Sequence, residues 1–421
     1  MNSESNIIKA SSNKTNNALL LFFPLICFIG AYFVGDDLGF NGLLAIVTSP
    51  ALLIQDALVL GGIAGALLNT GIIALINIAI FMILDINHNG MLLAAFFTIF
   101  GFSFMGMNIY NVLPIYLGGY LYSLYTKKPF KNFVLVSIFA SCLAPIVSHS
   151  FFGFNLDFSL VLILSIIKGA LIGFFIIPLA SSMLRFHEGF NLYNIGFTSG
   201  IVAIIYASIY RSFIGPIDFV SNLYQQTSPV IVFIIISSSL YFIILGIISD
   251  KQFFAKWQEI NKNSGRLASD FISLTSLGSA YFNMGILGIF SFLTVLLVNG
   301  IFNGPVLAGI YTLLGFGAFG KHLFNCVPVM IGGFIAAILL NLDLQSSAAI
   351  APILFVTTIA PIAGVYGIVW GIVAGFLHVA IVAQFGLFHA GMNLYNNGFT
   401  GGIVAGLLVP IINTIRRKTN E

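Results

Sequence analysis

Charge is scarce in this 421-residue chain: Asp, Glu, Lys and Arg together make up 7% of it, while 59% of its residues are hydrophobic. That leaves too little polar surface to clothe a soluble globule of this size, so most of the chain has lipid as its solvent. Cysteine is scarce too. Cys27, Cys142 and Cys326 lie far apart, each inside an apolar run, which suggests neither a disulfide framework nor a metal cluster and points to packing. The sixteen Lys and Arg outnumber the thirteen Asp and Glu for a net charge of +3. They are spread over many loops, with no basic block and no acidic tail, so nucleic acid is not an expected partner. The signatures of soluble enzyme chemistry are also missing. There is no HExxH, no Walker motif, no dinucleotide fingerprint and no pair of catalytic acids, so neither enzymatic activity nor a cofactor is expected.

What the chain has in abundance is apolar length. Charges, Asn-Gly pairs and prolines divide it into about fourteen stretches able to cross roughly 30 Å of hydrocarbon, from 17–35 to 392–413. The expected fold is an all-α polytopic bundle in contact with the bilayer. The first run is long for a signal-peptide core and has no small-residue cleavage site, so it is expected to be retained. The piece 40–55, broken at Ser49-Pro50, is too short to span and is expected at the interface. Counting alternate crossings puts Lys9, Lys14, Lys127, Lys128, Lys131, Arg185, the segment 250–269 and Arg416-Arg417-Lys418 on one side. By the positive-inside rule that side is cytoplasmic, with both termini on it, in a multi-pass protein of the cell membrane. Arg211 is an exception and Lys321 a candidate for a second, and Asp36, Asp37, Asp218 and Asp343 fall outside.

The chain also repeats itself. Residues 185–203, RFHEGFNLYNIGFTSGIVA, and 387–405, LFHAGMNLYNNGFTGGIVA, agree at about 14 of 19 positions without a gap. Polar residues match as well as aliphatic ones: His187, Asn191, Tyr193, Asn194 and Thr198 pair with His389, Asn393, Tyr395, Asn396 and Thr400. The likeness extends upstream, pairing Asp56 with Asp270, Asn69 with Asn283, Asn89-Gly90 with Asn303-Gly304, and Asn111 with Asn325. The organisation expected is a leader, first span and interfacial segment (1–55), a first repeat (56–213), a linker helix with a cytoplasmic loop (214–269), a second repeat (270–415) and a basic tail (416–421). Equivalent segments stand an odd number of crossings apart, so the second repeat should be inserted upside down, as in many secondary transporters.

Within the motif, glycines flank polar side chains and an apolar run follows, the pattern of a chain break and a helix start. At membrane depth such a break must line a cavity or be buried in protein. Two readings follow: the motifs converge on a solute path, or each is an interfacial turn. The histidines are candidate proton carriers or hydrogen-bond donors to solute. The copies differ at Glu188, replaced by Ala390, and at Lys168, whose register partner is Trp370. Lys168 lies in the middle of an apolar span and is a site candidate for that reason, with Glu188 as the other asymmetric member. Asp56 and Asp270 are candidate couplers of H⁺ or Na⁺, the latter followed by Ser273, Thr275, Ser276 and Ser279 as hydroxyl ligands. No His, Cys or carboxylate set recurs at metal-ligand spacing.

The phrase H-x-G-x-N-L-Y-N-x-G-F-T-x-G-I-V-A, ending each half of the chain, resembles an uncharacterised family of bacterial multispanning membrane proteins, a domain of unknown function that implies no substrate. A weaker similarity, in the Tyr-Asn and following Gly, is to urea transporters. The expectation is a secondary transporter of a small polar or anionic solute. The alternatives are a passive, urea-transporter-like channel or a membrane subunit of an ion-translocating complex, and a homo-oligomer is compatible with any of these.

Overall fold

The computed structural model describes residues 13–35, 39–49, 55–152, 157–217 and 222–420. Lys9, Asp36, Asp37, Pro50 and Asp218 lie outside them. The described chain is helical, with β-type pairing among those residues limited to isolated bridges, Gln55 with Asn222 and Asp270 with Phe319. Nine of its helices are long and apolar enough to span a bilayer, and four shorter apolar helices accompany them, including Gly90–Phe102 and Gly304–Phe316. With the Tyr-rich helix Ile109–Thr126, these account for every apolar stretch marked in the sequence. The segment beyond the first span forms a short helix, Gly39–Val47. It packs on Gly62–Ile83, with the Asn108 amide donating to its Ile46 carbonyl (3.2 Å).

The two shortest of these elements form the centre. Every residue of Gly304–Phe316 is buried, as is nearly every one of Gly90–Phe102, and the two inner helices lie against each other. Gly101 meets Ala308 and Tyr311, while Gly315 meets Leu93, Ala94 and Phe97, so one helix advances as the other retreats. The long spans Asn13–Val34 and Pro229–Ser249 behave alike: Phe23 stacks on Phe242 at 5.6 Å, and Gly30 faces Val230 and Ile234. Equivalent helices that contact one another antiparallel are related by a twofold axis across them. For helices that span a bilayer, such an axis lies in the membrane plane, so the repeats are inverted.

This second contact also enlarges the structural unit. Gly71 packs on Phe28 of the first span, and its counterpart Gly285 packs on Ser239 and Ile243 of Pro229–Ser249. The first span and the helix between the repeats therefore hold equivalent places, although sequence identity is too low there to reveal it.

Cross-repeat capping holds the centre together. Asp56 accepts from Leu58 N (2.9 Å), starting its own short helix Ala57–Leu60, and also from Tyr224 N (3.1 Å) and from Gly304 N (3.0 Å), the first residue of the opposite repeat's inner helix. Asp270 does the same for Ile272 N (3.0 Å) and Gly90 N (3.1 Å). Each carboxylate satisfies amides that a helix N-terminus leaves without partners, and its charge complements the positive end of the helix dipole.

Candidate functional site

In each copy the motif is a hinge that leaves one span and starts another. After helix Phe158–Met183 the chain turns through Glu188 (φ 50°) and Gly189 (φ 79°), and after Ile368–Phe388 through Ala390 (φ 48°) and Gly391 (φ 73°). Left-handed backbone of this kind favours glycine, which accounts for the first glycine of the motif. The histidines brace the turn. His187 Nε2 lies 2.9 Å from Asn194 Oδ1, and His389 Nε2 lies 3.0 Å from Asn396 Oδ1. Each asparagine gives its amide to the preceding span, at Ala180 O (3.0 Å) and Val382 O (2.9 Å). Its oxygen therefore faces the ring, and the imidazole Nε2–H is the donor. Thr198 and Thr400 bond back to the carbonyls of Asn194 and Asn396.

The two hinges meet. Asn191 donates to Gly398 O (2.9 Å) and Asn393 to Gly196 O (3.3 Å). A Cβ on Gly196 would stand 2.9 Å from Tyr395 Cβ, and one on Gly398 would stand 2.9 Å from Tyr193 Cβ, so only glycine allows this approach. Beside them, Phe197 stacks on Phe399 at 6.0 Å. Each hinge also docks on the broken middle of the other repeat's helix pair, with Leu192 N donating to Thr358 O (2.8 Å) and Leu394 N to Cys142 O (2.9 Å). Those middles are 3₁₀ turns, Ser141–Leu143 and Val356–Ile359, which free carbonyls that a continuous helix would have used.

Where the hinges cross there is a cavity of about 430 Å³. Pseudo-equivalent residues line it in pairs: Tyr193 with Tyr395, Gly196 with Gly398, Thr98 with Thr312, and Phe102 with Phe316. Leu192 with Leu394 and Phe139 with Phe355 continue the pairing, whereas Asn132, Ser181, Leu184 and Leu267 line it at one end without a counterpart. The cavity thus extends toward the face that carries Lys131, Arg185 and the segment 250–269.

Among the residues singled out from sequence, Tyr193, Asn194 and Tyr395 line this cavity. His187, Asn191, Thr198, His389, Asn393, Asn396 and Thr400 build the hinge behind it, since a chain break at this depth needs their hydrogen bonds to satisfy its backbone. Lys168 is half-buried, with Nζ 5.9 Å from the Tyr206 ring. Glu188, whose side chain is 50% exposed, pairs with Arg266 at 3.6 Å. The two do not come together and neither lines the cavity. The hydroxyls expected to join Asp270 gather without it. Thr275 bonds Phe271 O and Ser279, Ser276 and Ser279 bond each other, and Asp270 is occupied by backbone amides.

In the sequence Lys321 is only a candidate exception to the charge rule. It is 0% exposed. Its Nζ donates to the Tyr193 hydroxyl and to Thr357 Oγ1 (2.8 Å), and it stands 4.4 Å from the Tyr193 ring and 5.0 Å from Phe316. The available signal is the repeat register, which sets Lys321 opposite Met107. Three cavity-lining residues also carry buried polar atoms with no partner: Thr312 Oγ1, Tyr395 OH and Asn397 Oδ1.

Two halves clasped about a shared cavity define a duplicated, multispanning membrane protein. The family model described as protein of unknown function (DUF1576) matches residues 36–212 and again 249–414, one match in each repeat, and the chain belongs to that family. No curated protein and no solved structure matches it.

Proposed function

We propose that the protein is a secondary transporter of a small polar or anionic solute across the cell membrane, working by exchange of roles between its inverted repeats. The observation that carries this is the convergence of both hinge motifs on one cavity at the pseudo-twofold axis, the place where inverted-repeat transporters hold their solute. With the Lys- and Arg-rich face assigned to the cytoplasm, both termini are cytoplasmic and the cavity opens inward. The outward-open state would widen the other end, where Met107, Ser141 and Cys142 stand in for Lys321, Thr357 and Thr358. Coupling to H⁺ or Na⁺ fits the paired aspartates in one specific way. An ion taken up by Asp56 or Asp270 competes with the amides of the opposite repeat's inner helix, and so loosens the clasp between the repeats.

Ser181→Cys tests the cavity directly. Cys27, Cys142 and Cys326 are all buried, so a water-soluble thiol reagent should modify the new cysteine at the cavity edge and little else. In proteoliposomes, modification should abolish saturable solute uptake, and saturating solute should slow the modification. Uptake that persists unchanged after complete labelling would remove the cavity from the transport path. Flux indifferent to ionophores would favour a passive channel over coupled transport.

A further inference from the structure

Lys321 is wholly buried, and no carboxylate lies within ion-pair distance of it among the described residues. Both of its hydrogen-bond partners are neutral hydroxyls. An ammonium in such a place lacks a compensating charge. Its contact with Tyr193 has a second effect: the tyrosine oxygen accepts from the ammonium, which leaves the phenolic proton to be donated elsewhere and strengthens it as a donor. Tyr193 lines the cavity.

The unpartnered atoms on the same wall form a second, independent observation. Thr98 gives its hydroxyl to Ala94 O at 2.6 Å, the usual resting place for a helical threonine. Its counterpart Thr312, one turn before Phe316 on the inner helix, gives its hydroxyl to nothing, and neither does Tyr395. A buried hydroxyl without a partner costs free energy, and these two line the cavity. The remainder of the wall is largely apolar, with Phe102, Phe316, Phe319 and Phe355 among aliphatic side chains.

We infer that the solute is a small organic monoanion with an apolar body. Its carboxylate, or a comparable anionic head, takes hydrogen bonds from Tyr193, Tyr395 and Thr312 with Lys321 as the countercharge, while its body lies against the phenylalanines. The inference rests on the transport reading for its premise that solute occupies this cavity.

Equilibrium binding to the purified full-length protein tests it, using matched pairs such as benzoate with benzamide and hexanoate with hexanamide. The acid of at least one pair should bind more tightly than its amide. Lys321→Met, which copies Met107 of the other repeat, should weaken the acid by roughly thirtyfold or more and leave the amide unchanged. Tyr395→Phe and Thr312→Val remove orphaned hydroxyls without leaving a charge behind, so they serve if the lysine variant fails to fold, and each should weaken the acid selectively. Equal affinities within every pair, or equal losses for acid and amide in the variants, would overturn the inference. Selective acid binding without flux in proteoliposomes would sink transport and leave the anion site standing. Flux of a neutral solute with no preference for acids would do the reverse.

Discussion

The surroundings of Tyr193 and Tyr395 occupy pseudo-equivalent places and have diverged. Both tyrosines pack on the phenylalanine that ends an inner helix, Phe316 at 4.8 Å and Phe102 at 4.6 Å, and both belong to hinges whose backbone bonds are reciprocal. Around Tyr193 the neighbours are Lys321, Thr357 and Thr358, and its backbone N–H donates to Thr358 Oγ1 at 3.2 Å. At the other site Met107 replaces the lysine, with Ser141 donating to its sulfur at 3.5 Å, and Cys142 replaces Thr358. The duplication has kept the scaffold symmetric and let the chemistry become one-sided. What both repeats retain is what satisfies buried backbone, because a chain break inside a membrane is intolerable otherwise. What they have lost in common is polar side-chain chemistry, which no structural need compels both to share.

Met107→Lys would break this comparison most severely. It buries an ammonium in a pocket packed around the Met107 thioether beside Ser141, and we expect a loss of about 3–5 kcal/mol, read as a large drop in Tm in detergent or failure to recover folded protein. Normal stability would mean that the two pockets are chemically interchangeable.

Asp56→Ala and Asp270→Ala probe the part that stayed symmetric. Each leaves the first amide of the opposite inner helix and amides of its own short helix without their acceptor. Both should cost about 1–3 kcal/mol and lower Tm by similar amounts. A marked inequality would show that the clasp, too, has become one-sided.

Tyr193→Phe and Tyr395→Phe should separate the pockets by a smaller margin. The first takes a hydroxyl from a buried ammonium and should destabilise by about 1–3 kcal/mol. The second removes an orphan hydroxyl and should leave Tm unchanged or slightly raised. Equal effects would erase the distinction.

The smallest effect lies outside the bilayer, away from both tyrosines. Lys256 donates to Asp250 at 2.7 Å just beyond the span Pro229–Ser249, and with Ser276 and Gln252 N it holds the Asp250 carboxyl down to about 2. A carboxyl depressed on folding contributes stability above its ordinary range and loses that contribution as pH falls toward 2. Lys256→Met should therefore flatten the acid limb of a Tm-against-pH profile slightly and leave the profile near neutrality almost unaltered. A shift confined to neutral pH would show that the lysine acts through some other contact.

Much of this was legible in the sequence for reasons that can be named residue by residue. The spans follow from unbroken apolar length, and the hinges follow from glycine beside asparagine ahead of an apolar run. Gly189 and Gly391 do take positive φ, and Gly196 and Gly398 do touch. The histidines were legible as important but not as to their task, because the orientation of Asn194 and Asn396 that makes each imidazole a donor depends on carbonyls fourteen residues upstream. Lys168 attracted attention by its position in a long hydrophobic run, yet Tyr206, from another helix, stands over it. Lys321 sits in a turn beside His322, where a charge looks unremarkable. Its isolation appears only once Phe316, Tyr193 and Thr357, from three separate segments, close around it.

The order of residues alone determined that this chain is helical, lives in lipid and consists of one unit written twice, because hydropathy and repetition are properties of adjacency that survive without coordinates. Only the tertiary structure decided which polar groups face a cavity and which hold the backbone. In an apolar medium a side chain's role is set by the donors and acceptors that reach it, and here those come from distant segments, for Lys321 and for Asn191 from the opposite repeat.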